Sequence, residues 1–147
     1  MEKRMNGASA KSWGDAAVSG LLAGLLAGVI MAAFLAAAGF AGGESAAQVL
    51  SRFGAGQGVT PLAGLITHLA VSSIYGIVWG YLLRVVRGLL PAPAWLLGLA
   101  YGLLLFLVAQ GLFLTAPTPL AGIPPLQFLI AHGVYGLVLG LQARSAA

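Results

Sequence analysis

The chain has 147 residues, of which 60% are hydrophobic and 7% are charged, and its mean hydropathy is +0.99. A soluble globular domain carries roughly 25% charged residues, so this composition excludes an ordinary water-soluble domain and indicates lipid as the surrounding solvent. The absence of cysteine excludes disulfides, thiolate metal sites and cysteine nucleophiles. The net charge of +4 does not indicate nucleic-acid binding, because the basic residues flank apolar segments and form no basic stripe with interleaved aromatic residues.

Four apolar segments follow one another along the chain, at about residues 16–40, 61–83, 95–114 and 123–141. A helix needs roughly 20 apolar residues to cross a bilayer, so the first three segments are long enough and the fourth is marginal. Backbone groups in hydrocarbon must satisfy their hydrogen bonds within the segment, which predicts α-helices. The sequence therefore predicts an all-α fold, a single-domain integral membrane four-helix bundle.

The basic residues predict how the bundle is oriented. Only Arg52 falls in a connection on one side of the predicted bilayer, with Glu44 nearby. The other six fall on the opposite side: Lys3, Arg4, Lys11, Arg84, Arg87 and Arg144. By the positive-inside rule, both termini are expected in the cytoplasm of a bacterial inner membrane.

The first apolar segment could alternatively be a cleaved signal peptide, because the small residues "AAAG" at Ala36–Gly39 resemble a cleavage site. Its apolar core is longer than the usual 7–15 residues of a signal peptide. A retained first span is therefore the expectation.

Two connections on the outer side differ in character. The longer one, at residues 41–60, contains a stretch with a Ser45 cap, apolar Val49, Leu50 and Phe53, and a Gly54 stop. This pattern predicts a short amphipathic helix at about residues 45–53, lying on the outer surface. The connection at residues 115–125 is uncharged, contains four prolines, and is expected to form a short hairpin loop.

The second and fourth segments are similar in sequence. "PLAGLITH" at residues 61–68 matches "PLQFLIAH" at residues 125–132, and each is followed by Tyr-Gly, at Tyr75 and at Tyr135. The distance from His to Tyr is seven residues in one copy and three in the other. Because four residues are about one helical turn, both spacings return to the same helix face. The similarity predicts two helical hairpins duplicated in parallel.

Small residues recur at four-residue spacing in every predicted span. This spacing lets helix backbones approach closely in lipid, and it fits either packing within the bundle or an interface with another subunit. The glycines concerned are Gly20, Gly24 and Gly28, Gly76 and Gly80, Gly98 and Gly102, and Gly136 and Gly140.

The only two histidines, His68 and His132, each lie seven residues after the proline that begins their helix, so equal depth is expected. Ionisable residues within membrane spans are rare and usually face the bundle interior. Further polar residues are expected in the same cluster: Ser72, Tyr75, Gln110, Gln127 and Tyr135.

Three roles fit these histidines. They can join helices by hydrogen bonds, they can be axial ligands of a tetrapyrrole such as haem b or chlorophyll on diagonal helices, or they can titrate along a transport path. An enzyme is not expected, because Glu2, Asp15 and Glu44 all lie outside the spans. Two histidines are also too few for a closed zinc site.

Three features of the sequence resemble a known group of proteins. They are "HLAVSSIYG" at residues 68–76, "HGVYGLVLG" at residues 132–140, and the Gly/Ala-rich first span after a basic N-terminus. The chain resembles a broad group of small uncharacterised four-helix bacterial membrane proteins, over most of its length. The resemblance implies the fold and the inner membrane, and it implies no activity and no catalytic residue.

The expected function is non-catalytic: a small accessory or structural subunit of a larger membrane complex. The expected partners are the lipid bilayer and either another membrane protein or further copies of the chain, with no nucleic acid. One alternative is an electron-transfer or pigment subunit that binds a tetrapyrrole through His68 and His132. The second alternative is a small oligomeric transporter.

Overall fold

The structure, a computed structural model, describes residues 12–54, 56, 58–115 and 118–145. Lys3, Arg4 and Lys11, which contribute to the predicted orientation, lie outside the described residues. Every regular element in the described part of the chain is helical. The elements are α1 (Trp13–Ala41), α2 (Ala46–Ser51), α3 (Pro61–Val86), α4 (Ala94–Thr115), a short 3₁₀ helix (Pro119–Gly122) and α5 (Pro125–Ser145).

Four of these helices, α1, α3, α4 and α5, are long and apolar enough to cross a membrane. This confirms the predicted all-α class and the four span-length helices, and it is the composition of a membrane protein. The four helices begin and end within a few residues of the predicted boundaries.

Short polar side chains define where several helices begin. Ser12 and Asp15 form a capping box at the start of α1, and Ser45 and Gln48 form a second one at the start of α2. Thr60 accepts a hydrogen bond from the Ala63 amide at the start of α3. These side chains satisfy amide groups that the first helical turn leaves without a partner.

Helix α1 is the central element of the molecule. It packs along both α3 and α5, whereas α4 packs mainly along α5 and meets α3 only sparsely. The most apolar windows of α1 and α5 are 33% and 39% buried, against 17% and 22% for α3 and α4, so the latter two are peripheral. Cleavage after Ala36–Gly39 would remove the helix on which α3 and α5 pack.

The helices alternate in direction, and one end of the bundle carries arginines. At this end Trp13 of α1 lies against Tyr81 of α3, with ring centroids 5.8 Å apart, and the Arg84 guanidinium lies 4.7 Å from the centre of a Trp13 ring. Arg87 donates a hydrogen bond to the carbonyl oxygen of Ala143 in α5, at 3.1 Å. We call this the basic end, and the opposite end, which carries α2, the α2 end.

The α1–α3 contact depends on glycine. A Cβ atom added to Gly20 would collide with the carbonyl oxygen of Gly76, and one added to Gly24 would collide with that of Ser72. A Cβ atom on Gly76 would meet the carbonyl oxygen of Gly20 and the Cα atom of Gly24. The two backbones are therefore in direct contact, and Gly28 continues the contact against the Ser72 side chain.

The α4–α5 contact has the same design. A Cβ atom on Gly98 would collide with the carbonyl oxygen of Gly136, and one on Gly102 would collide with that of His132. Gly140 lies against the Ala94 carbonyl oxygen, as Gly80 lies against that of Ala16.

These contacts relate the two hairpins in a register that differs from the sequence match. Gly24 meets the carbonyl oxygen of Ser72 in one hairpin, and Gly102 meets that of His132 in the other. In this register His132 corresponds to Ser72, and His68 corresponds to Phe128. The two histidines are equally far from the starts of their helices, but they stand one turn apart relative to the glycine contacts.

The sequence predicted a short helix lying on the outer surface. In the structure this helix, α2, packs onto α1 and α3. Val49 and Phe53 are only 2% and 7% exposed, and Val49 fills the space beside Gly39. The carbonyl oxygen of Leu50 contacts Gly64 of α3. Arg52 and Glu44 form a two-point ion pair that connects the two ends of this segment.

We expect Gly76→Ala to lower the free energy of unfolding by about 1–3 kcal/mol, because the new methyl group must push two backbones apart. Gly111→Ala on α4 is the control, since its Cβ atom would meet no atom within 4 Å. Alanine favours helix over glycine, so this control is expected to be neutral or stabilising. Thermal unfolding in mild detergent, followed by circular dichroism, measures both. Equal stability of Gly76→Ala and the unaltered protein would contradict the contact.

Candidate functional site

A cavity of about 200 Å³ lies among α1, α3, α4 and α5 towards the α2 end. Phe53, which follows α2, and Leu120 of the 3₁₀ helix also line it. Five of the polar residues singled out in the sequence line this one cavity: His68, Ser72, Tyr75, His132 and Tyr135. The cavity is the one place where these residues meet, which makes it the candidate site.

The cavity opens sideways between α3 and α4. Val71 of α3 and Leu112 of α4 both line it, and they are 43% and 56% exposed. We call this opening the α3–α4 seam. The seam lies between two helices that are long and apolar enough to cross a membrane.

His68 connects three elements. Its Nε2 atom lies 3.0 Å from the carbonyl oxygen of Gly28 in α1, so the N–H donates to that oxygen. Its ring stacks on Phe53, with centroids 4.5 Å apart and an interplanar angle of 25°. Through this one side chain α3 is tied to α1 and to the segment after α2.

His132 is bound within its own helix. Its Nδ1 atom donates to the carbonyl oxygen of Phe128, one turn earlier, at 2.9 Å. The ring lies edge-on against Phe128 and Phe106, with centroids 4.4 Å and 6.0 Å away. His132 is 9% exposed, so aromatic rings and the backbone of α5 form most of its surroundings.

Two tyrosines join the helices below the histidines. Tyr135 of α5 donates a hydrogen bond to the carbonyl oxygen of Ser72 in α3, at 2.6 Å. Tyr101 of α4 donates to the carbonyl oxygen of Tyr75 in α3, at 2.9 Å, and its ring lies 5.4 Å from Trp79. These bonds hold α3 to α4 and α5 at the floor of the cavity.

The structure places two predicted members elsewhere. Gln110 and Gln127 are half-buried, and neither lines the cavity. Tyr101 was missed in the sequence, although it precedes Gly102 as Tyr75 precedes Gly76 and Tyr135 precedes Gly136. This third Tyr-Gly pair was the signal that could have identified it.

The cavity does not fit a tetrapyrrole. Pockets for drug-sized ligands occupy about 300–1,000 Å³, and this cavity has about 200 Å³. The Nε2 atom of His68 is also held by the Gly28 carbonyl oxygen. Axial ligation by both histidines would require α3 and α5 to move apart and this hydrogen bond to break.

The chemistry available in the cavity is that of imidazole and hydroxyl groups, which exchange hydrogen bonds and protons. In a neutral imidazole one nitrogen donates and the other carries a lone pair, so each histidine keeps one lone pair after binding its carbonyl oxygen. Within the described ranges, no group of three or more His, Cys, Asp or Glu residues is placed to hold a metal ion. The site can accept hydrogen bonds from a small molecule, and none of its lining residues is acidic.

Comparison with known protein families, with curated proteins and with solved structures found no match to this chain.

We expect Tyr135→Phe to lower the free energy of unfolding by about 0.5–1.5 kcal/mol, because it removes only the hydrogen bond to the Ser72 carbonyl oxygen. Tyr81→Phe is the control, since the Tyr81 side chain lies at the surface, 39% exposed. Reversible unfolding from mixed micelles gives both values. If the two variants were equally stable, the bond across α3 and α5 would contribute nothing.

We expect His68→Ala to destabilise the protein more than His132→Ala. The first removes a hydrogen bond between helices and a stacked ring, whereas the second removes a bond within one helix and edge-on contacts with Phe128 and Phe106. About 1–3 kcal/mol is expected for His68. The midpoint of thermal unfolding of each variant and of the double variant measures the difference. A larger loss for His132→Ala would reverse the roles assigned to the two rings.

Proposed function

We propose that the protein is a non-catalytic accessory subunit of a larger assembly in the bacterial inner membrane, with both termini in the cytoplasm. The observation that carries this proposal is the α3–α4 seam, an apolar opening between two spans that scarcely contact each other. A helix of a partner membrane protein would complete the packing there.

The polar side chains in and beside the cavity support a structural role. His68, Tyr101 and Tyr135 each donate to a carbonyl oxygen of another helix, and His132 donates within α5. Groups used in this way hold helices together in lipid, where an unsatisfied polar group is costly.

The glycine contacts bear on where a partner would bind. Gly20, Gly24 and Gly28 all face α3, so the small-residue face of α1 is used within the chain. Gly98 and Gly102 are likewise used against α5. A partner would therefore bind through larger apolar side chains, and those of α3 and α4 are widely exposed, with Ile74 at 59% and Leu104 at 53%.

The charges of the described residues support the proposed orientation. Arg84 and Arg87 lie at the basic end, whereas Arg52 at the α2 end is neutralised by its ion pair with Glu44. Basic residues are therefore more numerous at the basic end than at the α2 end, and the end with more basic residues faces the cytoplasm.

One observation favours a small oligomeric transporter as the second candidate. A second cavity of about 460 Å³ opens at the basic end, and Trp79 and Leu139 line it. Tyr75 and Tyr135, one turn away on the same helices, line the first cavity. Two cavities separated by about one turn of side chains are a possible basis for alternating access.

A photo-crosslinking experiment separates these candidates. We expect p-benzoylphenylalanine in place of Val71, in native membranes, to form a covalent product with one other membrane protein. The control is the same group in place of Ile66, which lies on the same helix, is 59% exposed and does not line the cavity. We expect no discrete product from this control.

The mass of the product decides between the outcomes. A product at twice the 14.8 kDa of the chain would contradict the accessory role and favour a homo-oligomeric transporter. Two further results would contradict a partner at the seam. One is identical products from both positions, and the other is no product from Val71 together with migration of the protein as a lone monomer in native electrophoresis.

A further inference from the structure

The larger cavity, at the basic end, has properties that the accessory role does not use. It has a volume of about 460 Å³ and lies among α1, α3 and α5. Its position away from the α3–α4 seam separates it from the surface proposed for a partner. The following argument therefore does not depend on the accessory role, and it rests on the proposed function only for the membrane orientation.

The polar side of this cavity is built from four side chains. Arg84 of α3 and Arg87, the residue that follows α3, line it together with Ser19 of α1 and Gln142 of α5. Arg87 donates to the Ala143 carbonyl oxygen at 3.1 Å, which extends its guanidinium from α3 towards α5. Gln142 donates through Nε2 to the Ala23 carbonyl oxygen at 3.3 Å. These bonds place cationic and amide groups around one opening.

The charge of this region is positive. Among the described residues at the basic end, Asp15 is the one acidic side chain, and its carboxylate accepts hydrogen bonds from the backbone amide and the hydroxyl of Ser12. Arginine binds phosphate oxygens through paired N–H groups. The polar side of the cavity is therefore suited to an anion of the phosphate type.

The remainder of the lining is apolar, which distinguishes this cavity from a site for a free ion. Trp79 and Leu83 of α3 and Leu139 of α5 line its inner part and are buried. Leu22 of α1 also lines it and is 58% exposed, so the cavity reaches the lipid-facing surface. A ligand here would have an anionic group beside the arginines and an apolar part that continues into the bilayer.

We propose that this cavity binds the phosphate group of an anionic amphiphile, that is, an anionic phospholipid of the surrounding membrane. Basic pockets between membrane helices on the cytoplasmic side recognise anionic headgroups. The volume accommodates a headgroup and the start of its acyl chains, and the chains themselves remain in the bilayer. A zwitterionic lipid brings a quaternary ammonium group close to two guanidinium groups and binds less well.

Native mass spectrometry of the whole protein, released from neutral detergent, tests this assignment. Dioleoyl-phosphatidylglycerol is the probe, and dioleoyl-phosphatidylcholine is the chain-matched comparison. Inorganic phosphate is the third arm, because it carries the same anion without an apolar part. We expect one phosphatidylglycerol molecule per chain, at an affinity about tenfold or more above that of phosphatidylcholine, and no displacement by millimolar phosphate.

Two kinds of variant locate the site. Arg84→Gln together with Arg87→Gln should weaken phosphatidylglycerol binding about tenfold or more, since each arginine near a membrane surface contributes to anion binding. Ala143→Leu should weaken it by filling the cavity with no change in charge, which keeps the test valid if the double arginine variant fails to fold. Val78→Leu, at an exposed position of α3 outside the cavity, is the matched control.

Three results would overturn the proposal. Equal binding of phosphatidylglycerol and phosphatidylcholine would show that the cavity does not select an anionic headgroup. Complete displacement of phosphatidylglycerol by inorganic phosphate would show that the apolar part of the lipid does not contribute to binding. Unchanged binding in both the Arg84→Gln/Arg87→Gln and the Ala143→Leu variants would move the lipid to another surface.

Discussion

Direct contact between glycine backbones is the constraint on which this structure depends. Lipid supplies no hydrophobic force between apolar helices, so helices associate through close packing and polar bonds. Gly20 and Gly24 meet Gly76 in one hairpin, and Gly98 and Gly102 meet Gly136 in the other, at distances that leave no room for a methyl group. Each hairpin is therefore closely packed, and the cavity at the seam lies where α3 and α4 have no such contact.

The same constraint explains how polar groups are used. With backbones so close, a side chain on one helix easily reaches a carbonyl oxygen on another, as Tyr135 reaches Ser72 and His68 reaches Gly28. A carbonyl oxygen has a second lone pair after its helical hydrogen bond. The bundle thus gains bonds between helices without pairing two polar side chains, which accounts for its low content of charged and amide residues within the spans.

The sequence was sufficient for the helices and insufficient for their register. Apolar length and helix-starting residues such as Pro61 and Pro125 located the spans, because these signals are local. The match between His68 and His132 was also local, and it suggested equivalent positions. The Tyr-Gly match at Tyr75 and Tyr135 gave a second offset, four residues shorter, and a shift of four residues keeps the same helix face. Contacts with the neighbouring helices decided for the second offset, in which Ser72 corresponds to His132.

The sequence predicted helix α2 itself, but not where it packs, and it did not predict the cavities. An amphipathic pattern shows that Val49 and Phe53 need an apolar environment, and either lipid or protein can supply it. Here the bundle supplies it, since Gly39 and Gly64 leave space for α2 to pack. A cavity forms where side chains from several helices do not quite fill the space between them. No single segment of sequence predicts such a gap.

The two cavities meet on α3, and this bears on how the proposed ligand and partner would interact. Trp79 lines the basic-end cavity, and Tyr75, one turn away, lines the cavity at the seam. Trp79 also packs against Tyr101, whose hydroxyl group holds the Tyr75 carbonyl oxygen. A lipid that fixes Trp79 would therefore favour one position of α4 relative to α3, and that position determines the width of the seam. Lipid and partner would then bind on different faces of α3 and still influence each other through this short chain of contacts.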